Sequence, residues 1–133
     1  MQPSTDVRDA MLRFYDGVSA SDVASFDEIV SPDAVVVIGT APGEWVTERD
    51  RMRFGFETEG LRIDAGHPQG FEEGSMGWVA DEPTFHFGSD AAVATRLTAV
   101  FHRHEDTWKL VHMHVSVGVP DEEVAELQRR WSA

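Results

Sequence analysis

Four of the six histidines of this chain, His102, His104, His112 and His114, stand close together as two His-x-His pairs. That spacing puts both imidazoles of a pair on one face of an extended strand, which is how a zinc or copper site is often begun. A metal also requires the two pairs to converge. The stretch from Arg96 to Ser116 reads as one hairpin turning at Glu105-Asp106-Thr107, with the numbers of opposed residues summing to about 212. In that register His102 faces Leu110 and His104 faces Trp108, so the pairs are displaced along the hairpin. The chain has no cysteine and no nearby carboxylate to complete a coordination sphere. No metal is expected.

The same register sorts the hairpin into two faces. Leu97, Ala99 and Phe101 fall with Val111, Met113 and Val115 on an apolar face, and Arg96 and Thr98 fall with His112, His114 and Ser116 on a polar one. An arginine beside neutral imidazoles and hydroxyls can hold a carboxylate or phenolate by charge-assisted hydrogen bonds, or polarise a carbonyl. Two placements stay open for this polar set. It lines a pocket, or it is the outer face of a sheet, since the apolar face is the one suited to helices. Further pocket material is aromatic: Tyr15 beside the stripe of the first helix, Trp45 in a loop and Trp78 in a later strand. With Met113 or Phe101 as floor, these rings would border a cavity for a small apolar ligand. Among the carboxylates, Glu44 and Asp64 are the two candidates for a base.

The elements that must position these residues follow from periodicity. Val7, Met11, Phe14 and Val18 mark one helical face after a cap at Ser4 or Thr5. Ser21 is placed to cap a second helix burying Val23, Phe26 and Val30 and stopped at Ser31-Pro32. Ala34 to Ile38 is short and continuously apolar, a buried strand. Thr47 and Asp50 form a capping-box pattern for a third helix closing at Gly60. Alternation then runs through Leu61, Ile63 and Ala65, then Met76, Trp78 and Ala80, then Phe85 and Phe87, and into the hairpin. Pro120, Asp121-Glu122-Glu123 and Arg129-Arg130 suit a closing helix that buries Val124, Leu127 and Trp131. The fold class is α+β, a curved antiparallel sheet with helices on one face.

Composition narrows the partners. With 133 residues, 41% of them hydrophobic, residues 1–133 make one domain. A net charge of −13 disfavours nucleic acid and anionic membrane surfaces, both of which rely on clustered Lys and Arg. The absence of a basic start with an apolar run makes cytoplasm the expected location. Without a Gly-rich phosphate loop, dinucleotide fingerprint or Ser elbow, no cofactor is expected.

The Ser31-Pro32-Asp33-Ala34 step into the first buried strand, the loop Gly39-Thr40-Ala41-Pro42-Gly43-Glu44-Trp45 and the Arg96–Ser116 pattern resemble the nuclear transport factor two-like superfamily in its SnoaL-like branch. The hairpin also resembles the closing strands of the association domain of calcium/calmodulin-dependent protein kinase two, with Trp108 opening the last strand and His112-Met113-His114 following. The resemblance implies a cone-shaped sheet with a hydrophobic cavity, and an outer face that commonly meets a second subunit. It covers isomerases, dehydratases, cyclases, epoxide hydrolases and assembling domains alike, so fold does not convey function. Laid on the resembling ketosteroid isomerases, the helical Tyr falls on Phe14 and the general-base Asp on Ile38. The Arg-x-Asp of the resembling epoxide hydrolases is Arg96-Leu97-Thr98. The implied function is binding of a small hydrophobic or acidic molecule by a homodimer, with cofactor-free isomerase- or dehydratase-type proton transfer as the accompanying chemistry. The alternative is a non-catalytic assembly module.

Overall fold

The computed structural model describes residues 1–33, 35–88 and 91–132; Ala34, at the start of the first expected strand, lies outside them. In chain order the elements are β1 (Gln2–Pro3), α1 (Thr5–Ser19), a 3-10 turn (Val23–Ser25), α2 (Phe26–Ile29), β2 (Val36–Ile38), β3 (Trp45–Val46), a second 3-10 turn (Arg49–Met52), α3 (Arg53–Glu57), β4 (Leu61–Asp64), β5 (Gln69–Glu73), β6 (Met76–Asp81), β7 (Thr84–Phe87), β8 (Ala91–Ala94), β9 (Arg96–His104), β10 (Thr107–Ser116) and α4 (Asp121–Ser132). The α+β class is as read from the sequence. A large sheet runs β1-β5-β6-β9-β10-β2-β3 and a small one β4-β7-β8. Every pair is antiparallel except β10 with β2.

Helix α1 forms because Ser4 Oγ accepts the Val7 N–H and because Val7, Ala10, Met11, Phe14 and Val18 all fall on one buried stripe. That stripe packs on the inner face of the large sheet, built from Val79, Leu97, Ala99, Phe101, Trp108, Leu110, Met113 and Val115. Gly77 and Gly70 let the helix approach closely: a Cβ on Gly77 would lie 2.6 Å from Val7, and one on Gly70 2.6 Å from the Arg8 backbone nitrogen. Among the described residues no helix is long and apolar enough to cross a membrane.

Several local expectations are corrected. The hairpin turns on two residues, Glu105 and Asp106, both at positive φ (50° and 65°), and Thr107 pairs with His104. A bulge between Leu110 and His112 then takes up the extra residue, so the anticipated register holds only from His112–Val100 onward. Phe101 therefore faces Leu110, and His102 faces Lys109 instead of Leu110. Val111 leaves the core face, which Trp108 and Leu110 complete. In β6 the alternation is right and the face reversed: Gly77, Val79 and Asp81 are buried, while Met76 and Trp78 are exposed. Ser21 sits at φ 51° and caps nothing, and Val23 is exposed. The third helix starts from Glu48 as a 3-10 turn without the Thr47–Asp50 box and ends before Thr58. Helix α4 buries none of Val124, Leu127 and Trp131.

Candidate functional site

Residues directly opposed across paired strands share a face, so the registers define the inner surface row by row. One row reads Gly70, Val79, Ala99, Met113, Val37, Val46. Under α1 it is sealed, with Val79 and Ala99 wholly buried; beyond Met113, toward β2 and β3, the helix no longer covers it. The small sheet and α3 roof that end instead. Phe85, Phe87 and Val93 look inward from β7 and β8, and Met52, Phe54 and Gly55 close the other side. They enclose a cavity of about 320 Å³ with Phe14, Val37, Met113 and Val115 at its base. Ser19 Oγ accepts the Ile63 N–H at 2.9 Å, pinning the small sheet to α1 and so fixing the roof.

The cavity is predominantly apolar, and its polar members are accounted for individually. Thr95 is buried, and its hydroxyl donates to Pro83 O at 2.7 Å. Glu44 folds back over its own loop, with Oε1 accepting the Ala41 N–H at 3.0 Å and the backbone closing Gly39 N–H to Glu44 O at 2.7 Å. A Cβ on Gly39 would lie 2.8 Å from Glu44 Cβ, so this fold of the loop needs glycine there. Arg51 and Thr40 complete the set. Among the described residues no buried carboxylate or imidazole faces the cavity, so this part of the lining offers apolar burial and a polar mouth.

Of the residues expected to border the cavity, Met113 does so. Tyr15 instead lies deep in the core, where its hydroxyl donates to Asp81 Oδ2 at 2.9 Å. Burial first, and the Asp81 carboxylate second, push its phenol well above the ordinary value of 10.0. Phe101 is sealed under the helices. Trp45 and Trp78 stand on the outer face of the large sheet, 63% and 39% exposed, with the Trp78 ring stacked on Phe71. Arg96, His112 and His114 share that outer face. His112 Nδ1 is 2.9 Å from Val36 O, while Arg96 and His114 line a groove of about 480 Å³ between the sheet and α4. Asp64 is outside the cavity too, with Oδ2 2.9 Å from His86 Nε2. Among the described residues no three His, Cys, Asp or Glu side chains gather as a metal site.

Sequence reasoning missed Arg51, Phe54 and Asp81. Asp81 had a signal, because Gly77, Val79 and Asp81 alternate on one strand face. It accepts from Tyr15 and, at 3.3 Å, from the Gly66 N–H, while its Oδ1 is buried without a protein partner. Arg51 and Phe54 sit in a 3-10 turn and a five-residue helix, too short for any period to show. A wider surface groove of about 750 Å³ is lined by Asp6, Asp9, Asp16, Asp22, Glu28 and Asp106 together with Arg13, Ile29 and Trp108.

A family model described as a SnoaL-like domain matches residues 7–120. No curated protein matches the chain. Among solved structures, a candidate dehydratase of the NTF2-like family from Streptomyces avermitilis is similar with a TM-score of 0.73 at 17% identity, over 86% of this chain and 95% of that one. The association domain of CaMKII from C. elegans is similar with a TM-score of 0.69 at 16% identity, over 84% and 93%. A hub domain of CaMKII from S. rosetta gives 0.72 at 18%, over 89% and 98%. At these identities the likeness is one of fold.

Proposed function

This chain belongs to the SnoaL-like domain family, and on that premise we propose that it binds a small, largely apolar molecule in the cavity over Met113. One observation carries the reading: the cone stays open at about 320 Å³, where a purely structural domain gains by filling it. The lining supports binding more than turnover, because Thr95 and Glu44 are both engaged and neither is poised as a base. The ligand set proposed is therefore Met113, Val37, Phe14, Phe85, Phe87 and Arg51, in place of the aromatic border expected from the sequence. Affinity comes mainly from burial, about 25 cal/mol per Å² of apolar surface, less the ordering cost of association. Small aromatic molecules should raise the melting temperature, and Met113→Phe, which fills the floor, should abolish that rise while leaving the free protein folded. A broad aromatic panel that leaves the melting temperature of the parent protein unmoved would refute the reading.

Assembly is the second reading, favoured by the two exposed tryptophans on the outer face. Rows Phe71, Trp78, Val100, His112, Val36 and Ala80, Thr98, His114, Ile38, Trp45 cross five strands each. We propose a homodimer through this face, which the association and hub domains among the similar structures make a natural use of the fold. It is compatible with an occupied cavity, since the two surfaces lie on opposite sides of the sheet. The cytoplasmic location expected from the sequence belongs to the same proposal and is checked by fractionation.

A further inference from the structure

We infer that the molecule held in the cavity is an apolar carboxylic acid whose carboxylate is met at the mouth by Arg51; this rests on the reading of the cavity as a binding site. Three arginines, Arg49, Arg51 and Arg53, alternate along the segment that closes the cavity. Two of them are structural. Arg49 donates to Asp27 Oδ1 at 2.9 Å, Ser31 O at 2.7 Å and Val30 O at 3.1 Å. Arg53 reaches the same Asp27 oxygen at 3.4 Å and Asp50 at 3.8 Å. Both guanidinium groups lie over the Phe26 ring, at 4.7 and 4.4 Å. The Arg49 hydrogen bond, with Arg53 adding to it, holds the Asp27 carboxyl below its ordinary value.

Arg51 is different. Its side chain lines the cavity and, among the described residues, takes part in no hydrogen bond or ion pair. The carboxylate that could neutralise it from within the lining, Glu44, is already turned onto the Ala41 N–H. Asp50 is turned toward Arg53. A guanidinium fork presents paired donors that match a carboxylate, a geometry that an alcohol or amide cannot use in the same way. On a chain of net charge −13 the general field repels anions, so an acid gains entry only where a local cation offsets that field. Phe54 and Phe87, 73% and 52% exposed, share the lining with Arg51 and would cover the apolar body of an acid whose head stays at the water boundary.

The test compares cinnamate, naphthoate and decanoate, each with its primary amide, by calorimetric titration of the parent protein and of Arg51→Gln and Arg51→Lys. At low salt the acids should bind about tenfold more tightly than the amides, the worth of one partly solvated charge-assisted contact. Arg51→Gln should erase that preference by weakening the acids more than the amides, Arg51→Lys should keep part of it, and added salt should narrow it. Arg51 is exposed, so circular dichroism should show all three proteins equally folded. Equal binding of acids and amides by the parent protein, or a preference that survives Arg51→Gln, would overturn the inference and leave the cavity reading standing. Binding of neither class would overturn both.

Discussion

Tyr15 is the one tyrosine of the chain, which makes its burial against Asp81 directly measurable. Its phenol is raised by desolvation and by the neighbouring carboxylate, so the folded protein keeps the proton where an unfolded chain releases it. Below the ordinary value of 10.0 both states hold the proton and stability is unaffected. Above it only the unfolded state ionises, and stability should fall by about 1.4 kcal/mol per pH unit. Tyrosinate absorbance should therefore rise together with loss of circular dichroism; an ionisation that precedes unfolding would show the hydroxyl to be reachable by water. Tyr15→Phe leaves Asp81 Oδ2 with only the long Gly66 contact, beside an Oδ1 that has no protein partner. An unsatisfied buried acceptor costs about 1–3 kcal/mol, and chemical denaturation should show a loss in that range.

At the scale of elements, the hairpin turn is the place where a conservative change should stabilise. Glu105 and Asp106 both sit at positive φ, the requirement of a type I′ turn, which Asn-Gly meets at less cost. Replacing them by Asn and Gly should raise stability by about 0.5–1 kcal/mol, seen as a higher denaturant midpoint with an unchanged slope. The same hairpin shows how far the sequence was legible. Apolar period-two stretches with strong neighbours, such as Leu97-Ala99-Phe101, declare their face. In β6 the true core residues include Gly77 and Asp81 while the bulky Met76 and Trp78 face outward, so side-chain size pointed the wrong way. The Val111 bulge left no mark, because a bulge preserves composition and changes only pairing. β5 and β8 are polar or alanine-rich strands whose pairing partners, not their own pattern, hold them. Helix α4 is the opposite case: caps and charges foretold it, yet it buries nothing. Truncation after Pro120 should thus alter the stability of the folded body by no more than about 0.5 kcal/mol, and a larger loss by thermal melting would place Val124, Leu127 and Trp131 in the core after all.

At the scale of the whole molecule, charge and exposed apolar surface act against each other. The net charge of −13 makes two copies repel, but the carboxylates are unevenly spread. From Arg96 to Ser116 the only acids are Glu105 and Asp106, both in the turn, while Arg96, His102, Lys109, His112 and His114 lie in the strands. The hairpin part of the outer face therefore adds few like charges to a contact between two copies. The outer face also carries Trp45, Trp78 and Met76, exposed enough to lose water on contact. A two-fold dimer brings the same patch together with itself, so every favourable change on it counts twice. Screening weakens the repulsion between the remaining charges beyond about 10 Å at 0.1 M salt and leaves the apolar contact intact. The proposed dimer should consequently tighten as salt is raised, the reverse of an interface held by ion pairs. Trp78→Glu and Arg96→Glu, each adding an anion to both sides, should shift sedimentation toward monomer while the aromatic thermal shift persists, because the cavity lies on the other side of the sheet. A protein that sediments as a monomer at micromolar concentration at both low and high salt would remove the dimer, and would leave the cavity as the one surface through which this domain acts.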